Sequence, residues 1–454
     1  MRRTGKLGAS IVTVATVAAV GLLNVPAAQA AVPLQKIIDD PFTGGNGDHK
    51  ASVEPDTFAF GNTIVVAAQV GRSFSGGGAG IGYATSTDAG ATWIQGTLPG
   101  ITTATGGPYD RVSDSTVAYD AAHGVWLISS LPVTADLAIP AILVSRSTDG
   151  GLTFGNPIAI ASSSTFYDKN WTVCDNHPAS PYYGHCYTQF DDHADKNRLK
   201  MSTSTDGGLT WGLALDTGNQ ATGFAGQPVV QPNGTVIVTA PNSGQTQLSA
   251  WRSLDGGASW TSITRVADDI THAPAGDLRS GLPSSEIDAA GKVYLVWQDC
   301  RFRAKCTSND LVMSTSTDGK KWTAPSRIPI DSVTSGFDHF IPGLGVDPST
   351  SGGTAKLGLT YYFYRNAACG SDCQLEVGYI QSVDGGATWS APIELAGPFS
   401  ISLCPETSHG RMVGDYISTS WINGKAFGAF AVAQPPSAGY DYDQAIYVPT
   451  GGLN

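Results

Sequence analysis

The side chains in this chain of 454 residues that can do chemistry are polar residues that occur singly. The densest group lies in Gly410–Tyr416, where Arg411, Asp415 and Tyr416 fall within six residues. An arginine offers a planar fork for an anionic group, and Arg111 is a second candidate for that task. Arg411 and Asp415 have the same parity, so a regular strand would turn both to one side. Asp168 and Asp338 are candidates for the acid and base that must flank one scissile bond. Glu286 is one of only five glutamates. His339, beside Asp338, is a candidate base or substrate contact, and Trp171 could offer a flat aromatic face. Glu54, Asp56 and Asp114 complete this non-repeating polar set.

The elements that must position these residues are written in a repeat. Ser-x-Asp, one or two Gly and then an aromatic residue recur six times, with the acid at Asp88, Asp149, Asp206, Asp255, Asp318 and Asp384. The spacings are 61, 57, 49, 63 and 66 residues, a mean of about 59, which is the signature of an array of similar units. Apolar runs such as Ile142–Val144 precede the turn, and a second run such as Pro157–Ile160 follows it, so each copy reads as a hairpin. The Asp carboxylate accepts backbone N–H groups across the turn, and Gly supplies positive φ. The six aspartates are therefore read as structural.

Two more strands lie upstream of each hairpin, as in Gln227–Val230 with Val236–Val238. Four antiparallel strands per unit make a propeller blade. About seven units of 59 residues fit into residues 31–454. The expected fold is all-β, a seven-bladed propeller, with six blades as the alternative. The last unit lacks an outer strand, and Leu34–Ile38 resembles the missing one. The mature N-terminal strand is thus expected to close the ring, with residues 33–39 paired against 444–449.

The six boxes resemble the Asp-box, or BNR, repeat of the sialidase superfamily, and the likeness covers nearly all of residues 31–454. It implies an exported, exo-alpha-sialidase-like glycoside hydrolase that acts on an extracellular glycan. A lectin-like propeller and a polysaccharide lyase are the alternatives. In such a site a Tyr assisted by a Glu is the nucleophile, an Asp is the acid/base and arginines hold the sugar carboxylate. The resemblance carries these roles to Tyr416 with Glu286, to Asp415, Asp168 and Asp338, and to Arg411 and Arg111. The family's Arg-Ile-Pro motif stands near the first blade. Here its one copy, Arg327-Ile328-Pro329, follows the fifth box and is read as part of an outer strand.

Composition limits the partners. Net charge is −12, and the first thirty residues hold three cations and no acid, so the chain without them carries about −15. That opposes nucleic-acid binding through a general basic field. Residues 1–30 read as a signal peptide: Arg2, Arg3 and Lys6, an apolar run from Ile11 to Leu23, and Ala28-Gln29-Ala30 before the cut. Residues 31–454 are expected to form one secreted, monomeric domain that is not inserted in a membrane. The seven cysteines suggest three disulfides, Cys174–Cys186, Cys300–Cys306 and Cys369–Cys373, with Cys404 left over. No resident metal or cofactor is required by this reading, although calcium could sit in the acidic loop Asp191–Asp195.

Overall fold

The computed structural model describes residue 1 and residues 32–44, 46–162 and 164–454. The proposed leader, apart from Met1, lies outside the described residues. Val32–Asn454 forms one compact unit.

Within it the architecture is all-β and built from antiparallel four-strand sets, consistent with a propeller. Among the described residues five four-stranded sheets stand separately. An eight-stranded sheet joins two further sets through a single pairing, Gly78 with Val112. The first strands of the sets are Val53–Phe60, Arg111–Asp120, Tyr167–Cys174, Gln227–Val230, Ser284–Ile287, Asp338–Val346 and Ser418–Ile422. Each packs against the first strand of the next set, and Ser418–Ile422 packs against Val53–Phe60. Leu34–Ile38 pairs with Gln444–Pro449, Leu34 opposite Pro449 and Ile38 opposite Ile446.

The repeated turns explain how neighbouring sets approach. In the first, Asp88 Oδ1 accepts the Thr92 N–H at 2.8 Å and Oδ2 accepts the Thr92 hydroxyl at 2.6 Å. Ser86 Oγ accepts the Gly90 N–H at 2.8 Å. These bonds to the charged form hold the Asp88 carboxyl down at about 2. Gly90 has φ +85°, and a Cβ there would lie 2.3 Å from the Phe427 ring of the last set. Gly151 of the second turn meets Val65 of the first set in the same way, at 2.8 Å. The glycine therefore serves both the turn and the close packing of one sheet on the next.

Antiparallel pairing puts the entry to each first strand at the same end as the loop between its second and third strands. Asp168 stands opposite Asp191, and Arg111 opposite Val133. The repeated turns lie at the other end. Cys300–Cys306 and Cys369–Cys373 staple loops at the entry end, and Cys174–Cys186 ties a first strand to its second. The Cα separations are 4.8, 4.9 and 4.0 Å, and Cys404 is free and buried.

One sequence expectation is corrected here. Gly410–Tyr416 is not one regular strand. Gly410–Arg411 pairs with Glu406–Thr407 in a separate two-stranded ladder, and the first strand begins at Ser418. Pairing at Arg411 therefore ends before Asp415, and the parity of the two residues no longer matters.

Candidate functional site

Four first strands share a local irregularity at their entry. The register slips between Val53 and Asp56, Ser113 and Thr116, Asp168 and Trp171, and Phe340 and Gly343. Immediately after the first residue of each slip stands a non-glycine residue with positive φ: Glu54 (57°), Asp114 (47°), Lys169 (48°) and Ile341 (52°). Left-handed backbone at such residues costs about 1–3 kcal/mol each and persists only where the surroundings enforce it. Three of the four are charged, and they converge.

Lys169 is the hub. Its Nζ lies 2.8 Å from Asp415 Oδ2, 3.1 Å from Asp114 Oδ2 and 3.9 Å from Glu54 Oε1. Arg279 Nη2 reaches Asp415 Oδ2 at 2.6 Å. Arg279 Nη1 and Arg72 Nε also donate to Met412 Sδ, at 3.4 and 3.1 Å. The Asp415 N–H and Gln69 Nε2 both donate to the Glu54 carboxyl. Glu54, Asp114, Lys169, Arg72 and Asp415 are all buried.

Burial on this scale separates the carboxyls. It pushes Glu54 up to about 8, helped by Asp114 and opposed by Lys169. Burial acts on Asp415 in the same direction, but Arg279 and Lys169 outweigh it and hold that carboxyl at about 2. Asp168 is raised by burial and by Asp114, against the pull of Lys169. Lys169 itself is raised well above its usual range, because Asp114, Asp415 and Glu54 overcome the cost of burying an ammonium. Neighbouring carboxyls held in opposite protonation states are the arrangement from which acid/base chemistry is built.

A narrow cleft with a cavity volume of about 20 Å³ lies beside the hub, lined by Asp114, Lys169, Trp171, Gln227, Pro283 and Tyr416 among others. Trp171 meets Tyr416 edge to face at 5.4 Å. Asp168, immediately before Lys169, has Oδ2 3.6 Å from His193 Nε2 and a side chain that is 22% exposed.

Of the residues singled out in the sequence, Glu54, Asp114, Asp168, Trp171, Asp415 and Tyr416 come together here. Tyr416 departs from the expected nucleophile: its hydroxyl donates to the Ser115 carbonyl at 3.1 Å, and burial raises its pKa well above the usual range. Glu286 makes no hydrogen bond or ion pair with Tyr416. Burial and then Asp56 push it to about 8. Arg411 is outside the cleft, bonded to the Cys404 carbonyl at 2.9 Å and close to Glu406. Arg111 is committed to Asp110, Ser73, Ser75 and the Gly76 carbonyl at 2.7–3.0 Å.

Asp338 does not face Asp168 across the site. Its Oδ1 accepts Asn309 N at 2.7 Å and Asn309 Nδ2 at 2.9 Å. His339 is buried against Phe363 and Tyr361, and burial lowers it to about 4. Ligand atoms of Asp310, Asp331 and His339 lie within 4.8 Å of one another, but Arg303 and Arg327 already pair both carboxylates. In the acidic loop, Lys200 Nζ reaches Asp192 at 3.5 Å and Asp195 at 3.0 Å, so an ammonium meets those charges. Arg327 is on an outer strand, Ser326–Arg327.

Sequence reasoning missed Arg72 and Arg279 and the central place of Lys169. Aligning the units on Val53-Glu54-Pro55-Asp56, Ser113-Asp114-Ser115-Thr116 and Asp168-Lys169-Asn170-Trp171 would have put the three charges in one row.

No family model matches the chain, and no curated protein does. Solved structures resemble it. An ulvan lyase from a family of polysaccharide lyases, bound to -[GlcA(1-4)Rha3S]-, aligns with TM-score 0.53 and 13% identity over 92% of this chain and 96% of that one. A Hadza microbial sialidase aligns with TM-score 0.46 and 14% identity, over 88% of this chain and 65% of its own length. The intramolecular trans-sialidase of Ruminococcus gnavus gives 0.47 and 13%, over 71% and 92%. At these identities the likeness is one of fold: all-β, propeller-like. Among the described residues no helix is long and apolar enough to cross a membrane.

Proposed function

We propose that this chain is a secreted, carbohydrate-active seven-bladed propeller, closed by Leu34–Ile38, that cleaves an acidic extracellular glycan at the entry end of its first strands. The observation that carries this reading is the convergence of Glu54, Asp114 and Lys169, each on left-handed backbone, with Asp415 and Arg279 beside the Trp171–Tyr416 cleft. Lys169 and Arg279 supply the positive charge for an anionic sugar. Asp168, raised and partly exposed, donates its proton to the leaving oxygen as the glycosidic bond breaks. Asp114, paired with Lys169, takes a proton from the water whose oxygen bonds to the anomeric carbon.

The test is hydrolysis by the purified chain of sialosides, uronic-acid glycans and neutral polysaccharides, repeated with Asp168→Asn and Asp114→Asn. Turnover of an acidic glycan that falls at least a hundredfold in both folded variants supports the scheme. Turnover confined to neutral glycans, or full activity in either variant, overturns it. A lectin-like role is the second reading, favoured by the internal pairing of Lys169 and the committed Tyr416 hydroxyl. It predicts binding of acidic glycans with no product.

A further inference from the structure

Next to the cleft, three loops present a row of aromatic rings that the scheme above does not use. Phe166 precedes the first strand Tyr167–Cys174, His193 lies in the loop between the second and third strands of the same set, and Phe224 precedes Gln227–Val230. The Phe166 and His193 centroids are 5.4 Å apart, and those of His193 and Phe224 are 6.5 Å apart. Phe166 is 38% exposed, so part of its ring is open to a ligand. The row is held in place: the His193 N–H donates to the Phe166 carbonyl at 3.0 Å, and the Phe224 N–H to the Pro241 carbonyl at 3.1 Å.

The row ends on charge. Lys169 Nζ stands 5.8 Å from the Phe224 centroid, and His193 Nε2, buried and without a hydrogen-bond partner, stands 3.6 Å from Asp168 Oδ2. Aromatic rings tilted 43° and 57° to one another, and bordered by a carboxyl and an ammonium, suit a pyranose, which offers axial C–H groups on its face and hydroxyls at its rim.

We infer that Phe166, His193 and Phe224 form a second sugar subsite, which stacks the residue adjoining the acidic sugar held by Lys169. This rests on the acidic-glycan reading. The site should thus prefer a chain of at least two residues over the acidic monosaccharide alone.

The experiment is calorimetric titration of the full chain with two probe pairs: glucuronate against a glucuronate–rhamnose tetrasaccharide, and N-acetylneuraminate against 3′-sialyllactose. For whichever pair binds, Phe166→Ala should weaken the longer probe about three- to tenfold, the range of a lost aromatic contact. It should leave the monosaccharide within about twofold, and Phe166→Trp should keep the longer probe's affinity. Equal losses on both members, or no loss on the longer one, overturn the subsite. If Lys169→Met abolishes binding while Phe166→Ala changes nothing, the acidic-glycan reading stands and the subsite falls. If the wild-type chain binds neither pair, both fall together.

Discussion

Replacing Lys169 by Met tests the hub most directly. The side chain is 7% exposed and lies within 4 Å of three carboxyls. Methionine fills a similar volume and removes the charge. Breaking a buried pair by removing one partner costs about 3–5 kcal/mol, because the other charge is left without compensation. With about 2.1 cal/mol/K of unfolding entropy per residue over roughly 420 residues, that loss lowers Tm by only about 3–6 °C. The pH dependence is more telling. The folded pKa of Lys169 is raised, so its stabilisation is fully present below its unfolded value of 10.5 and is constant across pH 5–8. The variation in that window comes from the carboxyls. Glu54 is raised from 4.5 to about 8, so the folded chain binds the extra proton there, and stability falls as pH rises through this range. Without Lys169, Glu54 loses a cation that favours its charged form, so its pKa rises further and its loss of stability toward high pH is steeper. The deficit of Lys169→Met should therefore be largest near pH 8 and shrink toward pH 5. Denaturant unfolding of both proteins from pH 5 to 8.5 measures it. A deficit under about 1 kcal/mol, or one that is equal at every pH, would refute the assignment of Lys169 as the charge that holds this site together.

Glu54→Gln should flatten the wild-type loss of stability between pH 4.5 and 8 and give the more stable protein at pH 8, by at most about 4–5 kcal/mol at 1.36 kcal/mol per pKa unit; a parallel pair of stability–pH curves contradicts this. Tyr416→Phe, which removes a bond to the Ser115 carbonyl, should cost about 1 kcal/mol and keep turnover of any acidic-glycan substrate, whereas a Tyr nucleophile would lose it. Asp206→Ala removes the acceptor for the N–H groups of Leu209 and Thr210 and should cost roughly 1–2 kcal/mol in a melt while leaving glycan binding unchanged. Cys404, buried and free, should be alkylated by iodoacetamide only in denaturant, and labelling of the native chain would contradict its burial.

The repeat could be read from the chain by itself because its physics is local. Ser86, Asp88 and Gly90 satisfy one another's hydrogen bonds within a few residues, so the turn recurs in the sequence wherever it recurs in space. The same locality made the three short cysteine loops legible, and the missing outer strand of the last unit pointed to Leu34–Ile38. The site was legible only in part. Glu54, Asp114, Asp168, Trp171, Asp415 and Tyr416 were singled out and do meet, but parity joined Asp415 to Arg411 across a segment that is not a regular strand. Asp338 and His339 looked catalytic and proved to be tied to Asn309 and to an aromatic stack. Lys169, Asp114 and Glu54 belong to three different sets, and Asp415 and Arg279 to the segments entering two others. Which charges meet there depends on how neighbouring sheets pack and on register slips that turn single residues toward a common centre. No short-range pattern carries that information, since each partner sits 50 to several hundred residues from the next and is paired only once the sheets are side by side.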